Sequence, residues 1–176
     1  MAGRILNGLV LVAAATFLVA SGAEEERAVL APVGDASHPA AMAGLEAEVA
    51  ASPSDDAKLR ALVQAYLDAR APGMALAVLE RTPQPVRDRP KVEHLYARVL
   101  IEEGQAQNAL AVERKVLGTC TMADGICDAW LIASARRRAD ILDEMVGLGV
   151  EDARANPEAS AVAYLNATRE ATLAVR

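Results

Sequence analysis

Aromatic side chains are scarce in this chain: Phe17, Tyr66, Tyr96, Trp130 and Tyr164 are all that 176 residues contain. Histidine occurs only at 38 and 94, cysteine only at 120 and 127, and lysine at three positions against fifteen arginines. Each shortage excludes something. β-branched alternation punctuated by turn pairs is missing, which removes the signature of a strand-rich fold. Two cysteines with no neighbouring histidine make a poor zinc site, so no metal is expected. No serine lies in a G-x-S-x-G setting, and no glycine loop of the phosphate-cradling kind occurs, so no cofactor is implied. A hydrolytic triad would need a histidine beside a nucleophile and an acid. His94 falls on a polar helix face, and both histidines read as surface residues. The net charge of −6 argues against a nucleic-acid partner, which calls for a basic protein.

Alanine is abundant instead, at 39 positions. It brings little apolar area but is the best helix former. The core must therefore come from Leu, Val and Ile, and the expected fold class is all-α. The alanine and arginine bias suggests GC-rich, bacterial coding.

Residues 1–23 combine Arg4, an apolar stretch over 5–20 and the small residues Ser21, Gly22 and Ala23, followed by Glu24–Glu26. That is the layout of a signal peptide cut after Ala23. The same segment offers 19 residues over 5–23, just enough to span a bilayer as an uncleaved anchor with Arg4 inside. Either reading exports the body of the protein. Export implies a periplasmic or secreted location under the first reading and inner-membrane anchoring under the second.

Residues 24–38 read as a linker. Helical spacing then predicts helices over about 39–51, 52–70, 73–81, 90–103, 106–117 and 124–146, and a last one opened by Asn156-Pro157-Glu158. Ser52 is read as a cap with Pro53 at the first helical position. Gly104 and Gly118 mark ends, and prolines 83, 85 and 90 break the pattern between helices. Trp130 falls in the apolar list of the long helix over 124–146. These elements divide into 39–123 and a C-terminal helical pair over 124–176 that caps the stack.

The tetrapeptide Ala-Leu-Ala-Val occurs at 75–78 and again at 109–112, an offset of 34. In the same frame Tyr66 aligns with Leu100, Asp68 with Glu102, Arg70 with Gly104 and Ala75 with Ala109. Helix, short turn, helix recurs in register, and a further shift of −34 reaches Ala41 and Leu45. This resembles the tetratricopeptide repeat, whose unit is a 34-residue helix hairpin. The resemblance covers about 41–118 and departs from the pattern at Arg70, where glycine is usual. It departs again at Glu113, where an apolar residue such as Leu79 is expected.

The resemblance implies tandem antiparallel hairpins in a short right-handed superhelix. It also implies that the first helices line a groove for a protein or peptide partner. The groove-facing side chains would be Arg60, Gln64 and Asp68, then Lys91, His94, Arg98 and Glu102. The cations Arg60, Lys91 and Arg98 would suit an acidic segment or the terminal carboxylate of a partner; simple hydration of a polar face is the competing reading. Arg136, Arg137 and Arg138 read as a solvated face, with Arg136 able to pair with Asp140; a patch for an acidic partner is the alternative. Cys120 and Cys127 read as a disulfide in an exported protein, worth about 2–3 kcal/mol. Two free thiols are the alternative, and a redox site lacks its C-x-x-C spacing. Asn166-Ala167-Thr168 matches a glycosylation pattern but falls inside a predicted helix.

The expected function is a non-catalytic interaction or scaffold module of the bacterial cell envelope, not an enzyme. The alternative is a helical subunit of a membrane complex, with the membrane reached only through the N-terminal segment.

Overall fold

A computed structural model describes residues 39–122, 125 and 127–173. The leader, anchor and linker expectations over 1–38 lie outside these residues. Eight helices and no strand occur among the described residues. They are α1 (Pro39–Ala51), α2 (Asp56–Asp68), α3 (Pro72–Arg81), the single turn α4 (Gln84–Arg87), α5 (Pro90–Glu102), α6 (Ala106–Met122), α7 (Ala129–Gly147) and α8 (Pro157–Leu173). The protein is all-α. None of the described helices is long and apolar enough to cross a membrane.

Local chemistry sets the helix starts. Pro72, Pro90 and Pro157 each open a helix, where a missing amide hydrogen costs nothing. α2 starts later than the Ser52 cap predicts. Asp55 is the cap, and its carboxylate accepts from the amides of Ala57 at 2.9 Å and Lys58 at 3.2 Å. A carboxylate satisfies two orphan amides and faces the positive end of the helix, so it outcompetes the hydroxyl. Ser52 instead closes α1 and accepts from Lys58 Nζ at 3.1 Å.

The helix ends are set by the backbone. Arg70, Gly104 and Gly149 all take left-handed angles, with φ of 55°, 73° and 72°. Each turn makes the same pair of hydrogen bonds. Arg70 N donates to Leu67 O and Ala71 N to Tyr66 O; Gly104 N donates to Ile101 O and Gln105 N to Leu100 O. Gly149 N donates to Val146 O and Val150 N to Met145 O. This is the Schellman closure, which satisfies the last carbonyls and reverses the backbone direction. α2–α3, α5–α6 and α7–α8 are the helix pairs that follow.

Each helix packs against neighbours close in sequence: α1 on α2, α2 on α3, α2 and α3 on α5, α5 on α6, α6 on α7, α7 on α8. The core is correspondingly drawn out into three groups. One joins Leu59, Leu62, Val63 and Tyr66 to Leu79 and Val99, with Met42, Leu45 and Val49 of α1 against it. The second holds Leu100, Leu110, Leu142, Met145 and Val150, and the third Val116, Cys120, Leu131 and Ala135. Alanine fills the closest approaches: Ala75, Ala97, Ala109, Ala135 and Ala163 are all fully buried. The Tyr66 hydroxyl donates to Glu46 of α1. That bond to a carboxylate, with burial, pushes the phenol up to about 12.

Two boundaries differ from expectation. α6 runs through Gly118 to Met122, and α7 starts at Ala129, not at 124. The reason is tertiary. The last turns of α6 lie against the first turns of α7, and Cys120 and Cys127 form a disulfide with Cα atoms 5.5 Å apart. Contacts there outweigh the roughly 1 kcal/mol that a mid-helix glycine costs. Asp128 caps α7 by accepting from the Leu131 amide at 2.8 Å.

Candidate interaction face and a buried polar network

Residues 60, 64 and 68 recur every four positions, so α2 presents them on one face. Arg60 and Asp68 are exposed and Gln64 is half-buried. On α5, Lys91, Arg98 and Glu102 are exposed. The two rows meet. Arg98 Nη1 donates to Gln64 Oε1 at 2.7 Å, and Gln64 Nε2 donates to Asp68 Oδ1 at 2.6 Å. Gln64 and Arg98 are 34 residues apart, so equivalent positions of the two helices lie side by side. Lys91 pairs with Asp128 at 3.0 Å. The Leu131 amide, and then Lys91, hold the Asp128 carboxyl below the usual carboxylate value. The Glu102 carbonyl accepts from Arg154.

His94 corrects the surface reading: it is 6 % exposed. Its Nδ1 lies 2.9 Å from the carboxylate of Glu113 on α6, and its Nε2 lies 3.0 Å from Ser134 Oγ on α7. Glu113 is 0 % exposed and also accepts from Arg138 Nη1 at 2.7 Å. The same nitrogen donates to the His94 carbonyl at 2.8 Å. Arg138 Nη1 also lies 3.3 Å from His94 Nδ1, so the guanidinium and the Glu113 carboxylate both face that edge of the ring. Burial pushes the Arg138 guanidinium down; Glu113 opposes that shift and the charge of Arg98 adds to it.

This network also corrects the solvated reading of the arginine triplet. Arg136 and Arg137 are exposed, but Arg138 reaches inward to a buried charge. Trp130 is the opposite case, 71 % exposed and edge-on to His94 with ring centroids 6.1 Å apart. It joins the face rather than the core. Sequence reasoning missed Glu113, Ser134, Arg138 and Trp130 as members of one site. The available signal was Glu113: a carboxylate in the register of Leu79 must be buried, and a buried carboxylate needs a cation.

On the other flank of α5, Glu93 is buried and pairs with Lys115, which also lies 3.7 Å from Asp88. The hydrogen bond from Lys115 to Glu93 raises the lysine amine. Among the described residues, no three His, Cys, Asp or Glu side chains gather as metal ligands would. Asn166 lies within α8 and donates to Glu144 at 3.1 Å. No family model, curated protein or solved structure matches this protein.

Proposed function

We propose that the protein is an exported, non-catalytic interaction module made of tetratricopeptide-like hairpins. It seats an acidic protein segment along α2, α5 and the first turns of α7. The observation that carries this reading is the repeat of geometry at 34 residues. α2 and α5 have the same length, their turns carry left-handed residues at 70 and 104, and Gln64 meets Arg98 across the pair. The face they form holds Arg60, Gln64, Asp68, Lys91, Arg98 and Glu102, with His94 now beneath it. Arg60 and Arg98 are exposed cations on it, and charge-assisted bonds to carboxylates are the strong ones. Trp130 supplies a flat apolar anchor of the kind that dominates interfaces. The cystine supports the exported part, since such bonds persist in oxidising compartments.

A photoreactive residue in place of Gln64, introduced in the producing cell, identifies what occupies the face. With that partner in hand, Arg60→Ala combined with Arg98→Ala weakens binding by about tenfold or more, the scale of one or two charged hydrogen bonds. Unchanged affinity would overturn the reading.

A further inference from the structure

Ser134 ends a hydrogen-bonded relay that the interaction reading does not use. Three helices contribute to it: Ser134 from α7, His94 from α5 and Glu113 from α6. The contacts are 3.0 Å from Ser134 Oγ to His94 Nε2 and 2.9 Å from His94 Nδ1 to Glu113. Arg138 holds the carboxylate from behind at 2.7 Å. His94 and Glu113 are buried, whereas Ser134 is half-buried, so the hydroxyl is the end of the relay nearest to solvent. A hydroxyl within reach of a base, with that base oriented by a third group, is the arrangement that activates a serine. Structural use of the same atoms would require only that the hydrogen bonds exist. The order Ser–His–Glu also places a ring nitrogen where the hydroxyl proton can go.

We infer that Ser134 is an activated nucleophile that takes an acyl group from activated carboxylic esters, with His94 as its base and Glu113 and Arg138 as positioning residues. Ser134 Oγ attacks the carbonyl carbon while its proton passes to His94 Nε2. The bond from that carbon to the leaving alcohol oxygen breaks, and this oxygen takes the proton back from Nε2. The products are acyl-Ser134 and the free alcohol.

The setting also limits the rate. Ser134 lies inside α7, where backbone amides bond to helix carbonyls, so they form no oxyanion site. Arg138, one turn further along, is engaged by Glu113 and the His94 carbonyl and does not serve as that donor. Loss of a good oxyanion donor costs about 10²–10³ in rate, so a slow single acyl transfer is expected rather than sustained turnover. Trp130, one turn before Ser134, favours an aromatic leaving group against its open face.

The test uses the full-length protein with 4-nitrophenyl acetate, following 4-nitrophenolate release and locating the acetyl group by mass spectrometry. The expected result is one acetyl on Ser134, gained roughly a hundredfold faster than on any other serine, the usual scale of general-base assistance. Ser134→Ala removes that label while the variant keeps its helical circular dichroism. His94→Gln keeps an amide toward Glu113 and lowers the rate to background, and imidazole added to His94→Ala restores it. Two outcomes overturn the inference. One is acetylation confined to lysine or tyrosine. The other is equal labelling of Ser134 in wild type and in a folded His94→Gln. The peptide-binding reading is unaffected either way, because the observation that carries it is the 34-residue geometry shared by α2 and α5.

Discussion

The first hairpin, α2–α3, and the second, α5–α6, occupy one 34-residue frame yet are held by different chemistry. At the same buried position the first carries Leu79 and the second Glu113, both 0 % exposed. Leu79 packs against Leu62, Val63 and Val99 in an apolar group. Glu113 instead binds His94 and Arg138, and through them Ser134. The turn positions differ in the same spirit, Arg70 against Gly104. The backbone plan thus tolerates either interior. What distinguishes the second hairpin is its neighbour: α7 brings a cation to the carboxylate, whereas Leu79 sits among apolar side chains that need none.

The largest expected effect breaks the polar version. Arg138→Met leaves Glu113 buried without its cation and costs about 3–5 kcal/mol in chemical denaturation. Glu113→Leu together with Arg138→Met makes the second interior resemble the first and recovers most of that loss. A double variant as unstable as the single would show that His94 and Ser134, rather than the ion pair, set the stability there.

Next is the staple. Cys120→Ser with Cys127→Ser removes about 2–3 kcal/mol through the entropy regained by the unfolded state. The loss concentrates in the last turns of α6 and the first of α7, readable as faster amide exchange there than in α2. Equal exchange in both regions would count against a local role for the bridge.

The smallest effects have opposite signs at equivalent sites. Gly104→Ala destabilises by about 1–2 kcal/mol, because its φ is left-handed and the new Cβ would meet Asp152 Cβ at 2.9 Å. Arg70→Gly relieves the same backbone cost and stabilises by up to about 1 kcal/mol. Thermal unfolding of the two variants distinguishes them; shifts of the same sign would mean that the two turns are not equivalent.

Much of the helical order is readable because it depends on short-range chemistry. Proline at helix starts, glycine at the second and third turns and the apolar spacing of α2 and α5 each act within a few residues. The capping error at Ser52 has a local cause as well, since Asp55 competes for the same amides and wins. The candidate site is less legible. A common frame puts Gln64 and Arg98 together, and they do touch. His94 escapes a sequence reading because its neighbours, Glu113 and Ser134, lie 19 and 40 residues away along the backbone. Trp130 escapes it because spacing assigns a helix face, not what covers it.

The amino-acid sequence by itself determined that this protein is helical, where most of its helices stop, and that two hairpins share one frame. Propensity, capping and periodicity are properties of neighbouring residues. Only the tertiary structure decided that Glu113 would be a buried anion with partners and that α6 would run past Gly118. It also decided that Trp130 would face water and that Arg138 would bind a buried carboxylate. Those outcomes depend on which helix lies opposite, and desolvation and pairing energies exist only once it does.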